Sequence, residues 1–239
     1  MSITGPPLLE CVWQNMVLAA DNATSDPGES AAARLARRAL EPRGAAVADE
    51  LRRLLDAALE VMRRGGTTSK PRVADIVAEA GLSNEAFYRH FPSKDALVSA
   101  ILEDGTERLA SYLAHQMDKE PTPEGKVRSW VAGVLSQADA AIASPTLAVL
   151  WNAGNVGDGI AAGRHPAHAA LVELLTGPFA ALGATDAGLD ASLVAHAVLG
   201  TLSDHLWART PVGADERDRI TAFAIAAGRR RAEGSTPPS

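Results

Sequence analysis

The sequence predicts an all-α fold, and two observations carry that prediction. The 239-residue chain is rich in Ala, Leu, Arg and Glu and holds only 4% aromatic residues, a composition that favours helix. Its apolar residues recur at steps of three and four, and no run of alternating β-branched residues marks a strand. A chain of this length can bury one large core or two smaller ones.

Residues 1–44 read as an N-terminal extension. Gly5-Pro6-Pro7 precedes a short amphipathic stretch, Leu8 to Ala20, and Asp21 to Ser30 is rich in turn formers. Ala31 to Glu41 can form a helix carrying Arg34, Arg37 and Arg38, which Pro42-Arg43-Gly44 is expected to break. A stronger helix follows. Val47, Leu51, Leu54, Leu55, Ala58 and Met62 form one apolar stripe, and Gly65-Gly66 ends it.

Three short elements come next. Arg72 to Ala80 is a helix with Val73, Ile76 and Val77 inward, and Ser69 is its expected cap. Gly81 stands where the chain must turn sharply, and Leu82 plugs the turn. Ser83 caps a helix from Asn84 to Phe91; Pro92-Ser93 stops it and starts a long helix with Leu97, Ile101, Leu109 and Tyr112 on one face. Further helices are expected at about 126–142, 145–153, 166–182, 189–209 and 215–231, with a Gly-rich loop from Gly154 to His165 and a disordered tail at 233–239.

Charge is unevenly placed. The net charge is −6, yet Ser30 to Lys94 holds 12 Lys/Arg against 8 Asp/Glu. The basic surplus falls on the segment with the short helices, which is what a polyanion-binding head requires. One cysteine, Cys11, excludes an internal disulfide framework and any multi-cysteine metal site. No segment approaches the ~18 apolar residues of a membrane span, and Leu8 to Ala20 lacks the positive flank of a signal peptide; a cytoplasmic location is expected. Gly-x-Ser-x-Gly is absent, and no nucleophile-base set or cofactor loop is found, so neither enzyme activity nor a cofactor is expected. His165, His168, His196 and His205 lack a carboxylate motif beside them, and Pro166 suggests a helix start, so a polar lining or interface role is favoured over metal.

Two short helices joined by a tight glycine turn, packed on a third, make a helix-turn-helix, whose second helix fits the DNA major groove. The run Val73-Ala74-Asp75-Ile76-Val77-Ala78-Glu79-Ala80-Gly81-Leu82-Ser83, followed by Phe87-Tyr88-Arg89-His90-Phe91-Pro92-Ser93-Lys94-Asp95-Ala96-Leu97, resembles the TetR family of transcriptional regulators. The resemblance covers about 50 residues, from the Val47 helix to Leu97. It implies a DNA-binding head at 45–97 and a helical ligand-binding and dimerisation domain at 98–232. It also implies that Asn84, Glu85 and Ala86 face base edges, and that Tyr88 and His90 reach phosphates or bases. Arg89 would contact either, Lys94 would anchor a phosphate at a helix N-terminus, and Arg72 and Ser83 would sit near the backbone. Phe87 and Phe91 would pack the head. Arg34, Arg37, Arg38 and Arg43 could lie along a phosphate strand or remain solvated.

The resemblance further implies a homodimer on double-stranded DNA, with a palindromic operator and a small, largely apolar effector. Met117, Trp130, Leu147, Leu150, Trp151, His168, Leu171, Leu175 and Phe179 suit an apolar pocket wall with a polar group, although the same residues could fill an ordinary core. The helices at 189–209 and 215–231 carry the small residues Ala191, Ala195, Ala197, Gly200, Ala222, Ala224, Ala226, Ala227 and Gly228, which would permit close helix approach across a dimer. The alternative is a dimeric regulator without a small-molecule effector, or an activator.

Overall fold

A computed structural model describes residues 31–153 and 166–229. These contain helices and no strand: α1 (Ala31–Gly65), α2 (Val73–Ala80), α3 (Asn84–His90), α4 (Lys94–Asp118), α5 (Pro123–Leu135), a 3₁₀ turn at Ser136–Ala138, α6 (Ala140–Ala153), α7 (Pro166–Leu182), α8 (Ala187–Ala208) and α9 (Ala214–Gly228). The Leu8 to Ala20 stretch, Cys11, the Gly154 to His165 loop, the 233–239 tail and the side chains of Arg34, Arg37, Arg38 and Arg43 fall outside the described residues. No single described helix is long and apolar enough to cross a membrane.

α1 corrects an expectation: it runs unbroken through Pro42-Arg43-Gly44. Proline removes one backbone donor and glycine costs about 1 kcal/mol relative to alanine. The alanines on both sides supply strong helix propensity, and α1 absorbs both residues as local costs instead of ending. Its C-terminal half has the expected inward stripe, with Leu54, Ala58 and Met62 buried, although Val47 is exposed.

α2 starts one residue late and is not capped by Ser69. Arg72 is the N-cap residue, extended and without a side-chain cap bond. A capping hydroxyl serves the N–H two or three residues ahead; from Ser69, the nearer of those positions is Pro71, which has no N–H. The turn that follows is as expected. Gly81 adopts φ +62°, its N–H donates to the Ala78 carbonyl at 3.3 Å, and the Leu82 N–H donates to the Val77 carbonyl at 2.9 Å. These bonds satisfy the last carbonyls of α2 and reverse the chain toward α3.

Farther on, the expected break at Pro145 lies elsewhere. Thr122 caps α5 by accepting from Gly125 N at 3.0 Å, and the helix ends at Leu135, before the 3₁₀ turn. Asp139 is extended, and its carbonyl accepts the Ile142 and Ala143 N–H groups at 2.8 and 2.9 Å, so α6 begins there and carries Pro145 inside it.

Buried apolar residues gather in two clusters. The first joins α1 to α4 and includes Leu54, Met62, Ile76, Phe87, Phe91, Leu97 and Ile101, and it also takes Ala148 and Ala153 from α6. The second joins α4 to α9 around Trp130, Leu175, Phe179 and Val198. α4 contributes to both clusters. The head and the body therefore share a continuous helix and share α6 as packing surface.

Candidate functional site

α3 is short, so its two faces separate cleanly. Ser83 caps it by accepting from the Ala86 N–H at 3.1 Å, a contact typically worth about 1 kcal/mol. Asn84, Glu85, Tyr88 and Arg89 are exposed, one turn apart in pairs. Phe87 is fully buried and stands edge-on to Tyr88, with ring centroids 5.2 Å apart. It also packs against Phe91 at 5.8 Å. This aromatic pair fixes the inner face and presents the outer one.

Two expected DNA contacts do not lie on that outer face. Ala86 is only 3% exposed, because its position on the helix points the methyl into the head with Phe87. The His90 side chain is 8% exposed, and its Nε2 lies 2.8 Å from Glu50 Oε2 on α1. The same carboxylate oxygen lies 3.5 Å from Arg89 Nη2. The His90 hydrogen bond holds the Glu50 carboxyl below its ordinary pKa, with Arg89 adding to the effect. His90 thus ties α3 to α1, while Arg89 keeps an exposed guanidinium within reach of solvent.

The flanking cations are placed at helix starts. Lys94 is the first residue of α4, behind a Ser93 hydroxyl that accepts from Ala96 N at 3.0 Å; its Nζ lies 4.0 Å from the Asp95 carboxylate. Arg72 precedes α2 and donates to both Asp75 oxygens, at 2.9 and 3.0 Å. That pair depresses the Asp75 pKa but is exposed, so it opposes transfer of Arg72 to a phosphate only weakly.

One head residue went unnoticed in the sequence. Arg53 on α1 donates to the Ala80 carbonyl through Nε at 3.1 Å and Nη2 at 2.6 Å, and to the Gly81 carbonyl at 3.1 Å. It clamps the turn that orients α3. Only the three-dimensional return of α2 onto α1 makes that contact.

A cavity of about 300 Å³ lies between the two clusters. Its wall draws on α1 through Leu59, α4 through Ile101, Leu102 and Leu109, α6 through Val149 and Leu150, α7 through Leu171, and α8 through Leu199 and Leu202. Among residues expected to line a pocket, Leu150 and Leu171 do. Met117, Trp130, Leu147, Leu175 and Phe179 instead fill the second core. Trp130 is fixed there by its indole N–H, which donates to the Leu171 carbonyl at 3.0 Å. Trp151 is half-buried and outside the lining. His168 packs edge-on against His196 at 4.5 Å, and burial lowers its pKa. Two buried polar lining residues escaped sequence reasoning, Gln137 and Thr146, at 1% and 8% exposure. A lone Gln or Thr in a helical stretch gives no sign of its burial.

Residues 54–101 match the model of the bacterial regulatory proteins, tetR family. That segment, from α1 through α4, is the helix-turn-helix head, and it is similar to the DNA-binding segment of TetR-family regulators. A Bacillus subtilis protein, the uncharacterized HTH-type transcriptional regulator YvdT, is 37% identical over 67 residues, which is 28% of this chain and 30% of that protein. The match thus spans under a third of that relative's length. Among solved structures, FadR of Bacillus subtilis in complex with stearoyl-CoA is similar over 74% of this chain and 94% of its own, with a TM-score of 0.54 at 16% identity. The fatty acid degradation regulator FadR of Bacillus halodurans gives 0.55 at 16% over the same shares. A regulator from Pseudomonas aeruginosa gives 0.56 at 24%, over 74% of this chain and 87% of its own. At these identities the structural likenesses establish the fold alone, a helix-turn-helix head joined to a helical body.

Proposed function

We propose that this protein is a TetR-type transcriptional repressor that binds a palindromic operator as a homodimer and is released by a small, largely apolar effector. In this reading residues 45–97 form the DNA-binding head and 98–232 the effector and dimerisation domain, acting in the cytoplasm without a catalytic role. The observation that carries it is the shared wall. Leu59 on α1, and Ile101 and Leu102 on α4, pack against the head cluster and also line the cavity. An occupant of the cavity therefore bears on the helices that carry α3.

The DNA-facing set is Asn84, Glu85, Tyr88 and Arg89 for bases and nearby phosphates, with Ser83, Arg72 and Lys94 toward the backbone. Glu85 would accept from a cytosine amino group. Ala86 and His90 support this face from within.

The dimer surface is read from exposed apolar residues. Leu189, Leu193 and Trp207 on α8 and Phe223 on α9 are exposed, each large enough to need a partner surface. Ala197 and Gly200, with Ala222 and Ala226, lie on the same exposed side of these helices and allow close approach. The remaining small residues serve the protomer's own core. Ala191, Ala195, Ala224 and Ala227 are buried, and a Cβ on Gly228 would meet Phe179 at 2.9 Å. A two-fold pair would present two α3 helices about one DNA turn apart, ~34 Å.

The effector reading also draws on the FadR structure with stearoyl-CoA, a ligand with a long apolar chain. Selection of bound fragments from random duplex DNA should return an inverted repeat with half-sites about one helical turn apart, and an unrelated or single half-site would contradict the dimer. A melting-temperature screen against metabolites should find stabilising apolar compounds, because a ligand of the folded state raises its stability by mass action.

A further inference from the structure

The cavity carries two polar groups that the fold leaves unanswered. Gln137 Oε1 and Thr146 Oγ1 are buried and find no hydrogen-bond partner among the described residues. Both belong to the cavity wall, Gln137 from the 3₁₀ turn and Thr146 from α6. Of the two other hydroxyls in the lining, Thr106 and Ser203, that of Thr106 is occupied, donating to the Leu102 carbonyl at 2.8 Å. A buried polar atom without a partner loses its water and gains nothing in return, which is unfavourable. Two such atoms facing a mostly apolar space mark a place for a polar group of a ligand.

Charge narrows what that group can be. Among the described lining residues there is no Lys, Arg or His, and one carboxylate, Asp104. Asp104 is already paired, its Oδ2 2.9 Å from Arg108 Nε and its Oδ1 accepting from Arg108 Nη2 at 2.9 Å. A carboxylate or phosphate taken into this space would lose its water and meet no free counter-charge, which is prohibitive without a partner. A cation would find Asp104 neutralised. A neutral hydroxyl or amide fits, since a Thr hydroxyl and a Gln carboxamide each offer both a donor and an acceptor.

We propose that the cavity selects an uncharged amphiphile, an apolar body ending in a hydroxyl, amide or similar neutral hydrogen-bonding group, held by Gln137 and Thr146. This rests on the effector reading above and specifies its chemistry. It excludes an effector whose anionic group enters the cavity.

The test uses the full chain loaded with the neutral dye Nile red and a matched eight-carbon series: octanamide, 1-octanol, methyl octanoate and octanoate at neutral pH. Octanamide and octanol should displace the dye at least ten-fold more tightly than octanoate. Gln137→Leu and Thr146→Val, close in volume to the residues they replace, should bring octanamide affinity down to that of methyl octanoate while leaving the unliganded melting temperature unchanged or raised. A merely structural role for the two side chains would lower that temperature instead. Octanoate binding as tightly as octanamide, or an amide preference that survives both substitutions, would overturn the inference and leave the cavity as an effector site. Dye uptake with no displacement by any of the four, or no uptake at all, would overturn the effector reading together with the inference.

Discussion

Arg53 on α1 reaches the Ala80 carbonyl at the end of α2, with Nη2 at 2.6 Å, from 27 positions away in sequence. Gly81, at φ +62°, lies under the same guanidinium, and a Cβ there would stand 3.1 Å from Arg53 Nη2. The turn of the helix-turn-helix is thus held from outside by a side chain of the first head helix. Arg53→Ala should lower stability by about 1–2 kcal/mol, since charged donors to carbonyls are worth somewhat more than neutral ones and this one is partly exposed to water. Thermal unfolding would show a loss of several degrees, with operator binding weakened in parallel. Unchanged melting would mean the clamp carries no energetic weight.

Gly81→Ala should cost about 1–2 kcal/mol from the left-handed backbone alone, and the crowding against Arg53 adds to it. The double variant Arg53→Ala/Gly81→Ala separates the two contributions: relief of crowding makes its loss smaller than the sum of the singles.

Ala86 offers a check on which face meets DNA. Being buried beside Phe87, Ala86→Leu should overpack the head and destabilise it by about 1–3 kcal/mol. Asn84→Ala, on the exposed face, should leave stability within about 0.5 kcal/mol and relax sequence preference. Lys94→Ala should weaken binding to all sequences and reduce the salt slope by about 1. Denaturant melts and binding isotherms at several salt concentrations measure all three.

The Glu50–His90 contact predicts a pH dependence with a definite sign. The folded Glu50 carboxyl is held below its ordinary value, chiefly by His90. Its contribution is therefore fully present above the unfolded value and fades as pH falls through the lowered folded one. Below about pH 4.5 the wild type should lose stability more steeply than Glu50→Gln. Parallel acid limbs for the two proteins would show that the contact has no such weight.

The head was legible in the sequence because local rules govern it. A glycine at the turn, serine caps before α3 and α4, and aromatics spaced to bury one face all act over a few residues, and each stands where it was expected. What failed depended on distance or on context. Pro42 looked like a helix stop, yet α1 continues because its neighbours outweigh one lost bond. Ser69 looked like a cap, but Pro71 removes the nearer N–H it could serve, and α2 starts only at Val73, behind Arg72. Most of the supposed pocket residues are large and apolar, and such residues fill cores and line cavities alike; only the placement of α1 and α4 shows that Leu59, Ile101 and Leu102 face the cavity. Gln137 and Thr146 were silent for the opposite reason, because polar side chains reveal burial only in three dimensions.

The shared wall between head and cavity is the central claim, and operator affinity with the cavity filled tests it most directly. A compound that raises the melting temperature of the wild type, but not of a Leu150→Trp variant with the cavity blocked, identifies a cavity ligand. At saturation it should weaken operator binding by one to two orders of magnitude, about 100-fold corresponding to ~2.7 kcal/mol of coupling between the sites. Operator affinity unchanged under saturating cavity ligand would contradict the account.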